Sequence, residues 1–390
     1  MSSRSIREWP PTVVGTVSEI AMVGVGSNRV VTASRLTGDN HPGNTDKLKL
    51  TVWDVDSSPG EYKIVSRGEH WDPTATIEKV AITVAGDYVV TAVRDKTSND
   101  LRIDSFRLRD NSKGEVDIDQ VATKSDHAHF VNEIAISRAG AGVGGAVIVM
   151  TALRNKAGSL VVATWGLESG FGSPDIGQLN EKQRGEASQI AIAESSRGAV
   201  TAFKNGEGNL ELIPWDVEST GKITPMEKTE GGAVSQVAIA ALGDDHFVVA
   251  VRNESEHLEL NTYKVLNGGS LKRLQKHGTD GGWINDHRVA VVSVGPYRDN
   301  NQTFAPYQAA CASVDGSGNL NMSLFDVNSE GKPTENGTKS LLPASHVTIA
   351  VGEPTTKTGD FGAIKNFDHL ITAVRDKDGK LSLMYWEAFY

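Results

Sequence analysis

A basic residue ends the same short apolar core again and again in this chain. Arg35 closes "VVTASR", Arg94 "VVTAVR", Arg154 "VMTALR", Lys204 "AVTAFK", Arg252 "FVVAVR" and Arg375 "LITAVR". Guanidinium groups brought into one ring could bind an anionic ligand or polarise a leaving group, because Arg offers a rigid fork of donors. The same side chains could equally pin their own turns, since Asp95, Asn155, Asn205, Asn253 and Asp376 directly follow five of them. A second series keeps its place but changes its chemistry: Glu19, Lys79, Glu133, Gln189, Gln236, Arg288 and His346. In that set Glu19, Glu133 and His346 could move a proton while Arg35, Arg94 or Arg154 activates an electrophile. Together they would form a cofactor-independent site of alkylation or cyclisation type. Trp71, His127, His129, Phe130, Trp283, Arg252 and Arg375 are the candidate ligand contacts. In "DHAHF", His127 and His129 would face one way on a strand and could share a metal with His70 and His346. One H-x-H pair does not fix that convergence, so neither a metal nor another cofactor is expected. No G-x-S-x-G, Gly-rich phosphate loop or H-E-x-x-H occurs.

The elements that must position these residues repeat. The slots of Thr32, Thr91, Thr151, Thr201, Val249, Cys311 and Thr372 are 59, 60, 50, 48, 62 and 61 residues apart, a mean period of about 57. Each core runs through a polar turn into a strand of the "GNLELIPW" or "GKLSLMYW" kind, which is a β-hairpin signature. Before each core lies an alternating segment such as "IEKVAI" or "VNEIAI", and after each hairpin a looser fourth strand such as "EYKIVSRG". Seven units of four short strands predict one domain over residues 1–390, an all-β seven-bladed propeller of antiparallel strands. The opening "IREWPPT" matches the end of a fourth strand, so the N-terminal strand is expected to complete the last blade and remove an exposed edge. An aromatic in every third strand, Trp53, Phe106, Trp165, Trp215, Tyr263, Phe325 and Trp386, reads as packing between blades. The two longest interruptions, Val294 to Gln308 and Gly352 to Asp368, should decorate one face of the disc.

The unit "VVTAVRxxxGxLxLxxW" resembles repeats of bacterial seven-bladed propeller proteins. It is also similar to the propeller half of the cyanobacterial enzymes that alkylate phenols or carboxylates with alkyl halides. The likeness spans nearly the whole chain as a repeat and carries no site motif. It implies the propeller fold and, by analogy, alkylation chemistry. Those enzymes also carry a calcium-binding repeat domain, and no GGxGxD array is present here.

Composition narrows the partners. A formal net charge of -10 argues against nucleic acid or an anionic membrane, which need a Lys/Arg excess. The single cysteine, Cys311, allows no intrachain disulfide, and "MSSRSIREWPP" has no signal-peptide core, which leaves the compartment open and favours the cytoplasm. A monomer is expected. The expected partner is a small organic molecule or glycan, bound in one asymmetric pocket at the mouth of the central channel. The alternative is a lectin-like or protein-interaction propeller without catalytic activity.

Overall fold

The computed structural model describes residues 5–26, 28–37, 46–58, 61–167, 175–243, 245–283, 289–294, 297–299, 302–305, 307–358 and 364–389. Among these the only helical element is a short 3-10 turn, Val143–Gly145. No helix is long and apolar enough to cross a membrane among the described residues. Strands Thr12–Gly24, Arg29–Leu36, Lys47–Ser58 and Glu61–Ala85 pair in that order, each antiparallel to the next. The far end of Glu61–Ala85 then opens a second sheet with Tyr88–Asp95, Asp100–Asp110 and Val116–Phe130. The same four-strand plan is met in Glu133–Ala141, Val147–Arg154, Ser159–Leu167 and Ile176–Ser195. It continues through Gly198–Asn205, Asn209–Val217 and Thr229–Ala241, and through His246–Asn253, His257–Val265 and Leu271–Trp283. Ala290–Ser293, Tyr307–Val314, Asn319–Val327 and Pro333–Thr358 follow, and the far end of the last pairs with Ile364–Asp376.

Lys380–Phe389 takes three partners. It lies against Ile364–Asp376 on one side, and on the other against Ser5–Glu8 and the start of Thr12–Gly24. Trp9 is buried there, its backbone N–H donates to the Tyr385 carbonyl at 3.1 Å, and Tyr62 stacks on Tyr385 at 4.7 Å. The first and last segments of the described chain therefore share one sheet and one aromatic cluster. Tyr297–Asp299 pairs with Gln302–Ala305, and this hairpin lies against strand Ile364–Asp376, whose own partner strand carries the other long interruption.

The apolar second and third strands build the core, and one polar pair inside it explains the repeated Thr and Trp. The indole N–H donates to a threonine hydroxyl from Trp53 to Thr32 (2.9 Å), Trp165 to Thr151 (3.0 Å), Trp215 to Thr201 (3.0 Å) and Trp386 to Thr372 (2.9 Å). Thr151 and Thr201 pass a hydrogen bond on to the carbonyls of Ala163 and Ile213. A buried indole needs such a partner, and a hydroxyl both accepts and donates. Where the aromatic has no N–H, the slot changes with it: Cys311 takes the diagonal place beside Phe325 and Val249 the one beside Tyr263, all buried and each pair within one core cluster. Burial pushes the Cys311 thiol well above the usual range, as befits packing rather than reactivity. Phe106 is the exception, because Thr91 is kept although its buried hydroxyl has no partner among the described residues.

This contrast is testable. Thr151→Val strands the Trp165 indole and should cost about 1–3 kcal/mol. Thr91→Val removes an already unpaired hydroxyl and should leave stability within about 0.5 kcal/mol or raise it. Denaturant unfolding of both variants beside the parent measures the difference.

Candidate functional site

The repeated basic residues belong first to their own turns. In each hairpin between second and third strands one residue takes a left-handed backbone: Asp46 (φ 64°), Asn99 (64°), Gly158 (85°), Gly208 (88°), Glu256 (66°), Gly318 (83°) and Gly379 (75°). Where that residue has a polar side chain, the basic residue holds it. Arg35 Nε donates to Asp46 at 2.8 Å, Arg94 Nε to Asn99 at 3.2 Å, and Arg252 Nη2 lies 2.9 Å from Glu256. Where the residue is glycine the cation lies over the turn instead. Arg154 and Arg375 come within 3.9 Å of the space a Cβ would occupy on Gly158 and Gly379. The Asp or Asn after the cation caps the turn, as Asp376 Oδ1 does for the backbone N–H groups of Asp378 and Lys380 at 2.9 and 2.8 Å. "DKDG" is thus a hydrogen-bonded turn. Among the described residues no group of three or more His, Cys, Asp or Glu could hold a metal ion.

The second series converges. Lys79, Glu133, Gln189, Gln236 and His346 line one cavity of ≈ 420 Å³, together with the Ser345 hydroxyl side chain. Each of the five comes from the first strand of a different sheet. Val80, Ile134, Ile190, Val237 and Val289 supply the aliphatic part of the wall. Glu19 is buried behind the rim, with Lys79 Nζ 2.6 Å from its carboxylate. Arg288 lies outside the described residues.

Pairing explains the placement. Glu19, Lys79, Glu133, Gln236 and His346 are the cross-strand partners of Arg35, Arg94, Arg154, Arg252 and Arg375. In all but the Glu133 sheet a bulge just before the rim residue breaks the register. A bulge bends its strand and re-aims the following side chain. Sheet Ile176–Asn205 differs: Ser188 pairs with Lys204, and the register is lost one step later, between Ser188 and Ala191. There Gln189 adopts φ 54°, and the N–H of Ile190 donates to Glu133 Oε2 of the preceding sheet at 3.3 Å. Arg154 Nη1 lies 3.8 Å from the other Glu133 oxygen.

The remaining candidates lie elsewhere. Among the described residues none of Arg35, Arg94, Arg154, Arg252 or Arg375 lines the cavity, and neither do Trp71 and Phe130. Trp71 packs on the Trp9–Trp53 cluster under Lys49 Nζ at 4.7 Å. Phe130 lies under Arg94 at 5.1 Å and Lys156 at 5.8 Å. His70 stacks edge-on against Phe106 of the next sheet. The side chains of His127, His129 and Trp283 lie outside the described residues. The sequence reading missed Ser345, and also the turn residues Asp46, Asn99 and Glu256 that occupy the cations. Their signal is a side chain in a hairpin position that is Gly in other copies.

No family model matches the chain. No curated protein matches it either. Solved structures do. Sqt1 of Chaetomium thermophilum, in complex with the N-terminus of ribosomal protein L10, is 15% identical with a TM-score of 0.50, over 95% of this chain and 87% of that one. A triple arginine-to-alanine variant of AofleA from Arthrobotrys oligospora is 12% identical with a TM-score of 0.50, over 85% and 90%. The Dos1 propeller aligns over 97% and 95% at 9% identity and a TM-score of 0.48. These neighbours are β-propeller proteins. The likeness shows the all-β propeller fold alone, and the resemblance to bacterial repeats and to alkyl-halide enzymes gains no support from the sequence comparisons.

The turn geometry predicts unequal responses at equivalent positions. Gly158→Ala forces a Cβ into a left-handed backbone and should cost about 1–2 kcal/mol. Asn99→Gly relieves that strain while releasing Arg94, so its net effect should stay within about 1 kcal/mol. Thermal melts of the two single variants check this.

Proposed function

We propose that the chain is a seven-bladed propeller whose N-terminal strand completes the last blade, and that it is a binding protein with one ligand site per monomer. The site is the cavity walled by Lys79, Glu133, Gln189, Gln236 and His346. The observation that carries this reading is the change of chemistry from sheet to sheet around a single cavity. A set of like sites between blades would favour like residues, whereas one central site is served by unlike ones. Its volume falls within the usual range for small-ligand sites, roughly 300–1,000 Å³, and its wall mixes cation, carboxylate, carboxamide and imidazole with aliphatic groups. A small polar molecule, a sugar or the end of a peptide fits that wall. The Sqt1 complex with a ribosomal protein's N-terminus supports the view that such a fold can hold a peptide end.

Binding without chemistry is preferred to alkylation or cyclisation. The arginines that would activate an electrophile are drawn to their turns, and Glu133 is engaged by Ile190 N–H and Arg154. Calorimetric titration with monosaccharides and short peptides should give one equivalent per chain. His346→Ala and Gln236→Ala should each weaken binding at least about tenfold, or 1.4 kcal/mol. Several equivalents per chain, or affinity untouched by both substitutions, would overturn the central site.

A further inference from the structure

We infer that Gln189 reads the ligand, and that the group it reads is a secondary amide bearing a small alkyl substituent, such as an acetamido group. The inference rests on the cavity being the binding site, and it adds a determinant and a ligand class.

Three observations on Gln189 combine. Its side chain lines the cavity, and among the described residues it makes no hydrogen bond or ion pair, while the other rim residues are engaged. Lys79 is held by Glu19, Glu133 by Ile190 N–H, and Gln236 and His346 have partners of their own. The backbone of Gln189 is left-handed, at φ 54°, in a bulge where glycine is the unstrained choice. A non-glycine residue persists in such a conformation only where its surroundings over-determine it, and these positions gather at ligand clamps. Here the constraint is visible: Ile190 N–H is tied across to the preceding sheet through Glu133.

The ligand class follows from the group presented. A carboxamide offers one acceptor and two N–H donors, so it can pair with the N–H and the C=O of a secondary amide at once. Ile134, Ile190 and Val237 stand beside the polar rim as apolar surface for a methyl group. An acetamido group brings a donor, an acceptor and a methyl within one small unit. It occurs on amino sugars and on acetylated peptides, and suitable probes separate those sources.

The test compares N-acetylglucosamine with glucose, and N-acetylglycine with glycine, by titration into the full chain. The parent protein should bind one acetylated probe at least about tenfold more tightly than its partner lacking the acetyl group, and the pair that discriminates identifies the sugar or the peptide source. Gln189→Gly accepts the left-handed backbone, so it should melt at or above the parent temperature while losing that discrimination. Gln189→Glu, which removes both N–H donors, should lose it as well. Equal binding within each pair, or discrimination kept in both variants, overturns the role of Gln189 and leaves the cavity standing. If the parent protein binds no monosaccharide or peptide at all, the binding site itself falls, and the inference with it.

Discussion

In the four hairpins that carry it, the bond from a buried indole to a threonine one strand away is the constraint on which the rest of the sheet depends. It joins residues on a diagonal: Thr151 faces Ala163, and Trp165 lies two positions further along, facing Val149. Thr32 with Trp53, Thr201 with Trp215 and Thr372 with Trp386 hold the same diagonal. Slipping the hairpin by one residue would turn the indole to the other face and leave two buried polar groups unpaired. Second and third strands are thereby locked together, and with them the turn that carries the basic residue. Fixing that hairpin also fixes the inner strand paired to it, which is where the rim residues stand.

A division of labour results. Parts that recur serve the frame: threonine for the indole, Asp or Asn for the turn, Arg for whatever side chain occupies the left-handed corner. Variation is concentrated on the innermost strands, where Lys79, Glu133, Gln189, Gln236 and His346 meet with no shared chemistry. A change there alters the cavity wall without touching the bonds that hold each hairpin together. Glu19 shows the limit of that freedom, since it is buried and its carboxylate holds the Lys79 ammonium.

Much of this frame was legible in the residues. Alternating apolar positions around polar turns announce hairpins, and the recurrence of Thr, Arg and Trp marks out the units. The rim series could be picked out because it keeps its place while changing its chemistry, and five of its members do line one cavity. The destination of the arginines was not readable from the arginines themselves. It depends on whether a residue several positions on is Gly, as at Gly158, or carries an acceptor, as at Asn99. Gln189 is harder still, because its left-handed backbone reflects a bulge moved by one step and an N–H claimed by another sheet. Trp71 and Phe130 looked like ligand contacts, yet each is covered by a cation from its own neighbourhood.

The strand Glu61–Ala85 runs unbroken from the outer edge of one sheet, where Trp71 faces Lys49, to the inner edge of the next, where Lys79 faces Arg94. Ile176–Ser195 does the same, passing from Gln183 opposite Val161 to Ala191 opposite Ala202. Such a strand transmits tension. A pull on the outer edge of one sheet is carried along the shared strand to the inner edge of its neighbour, where Lys79 stands in the cavity wall.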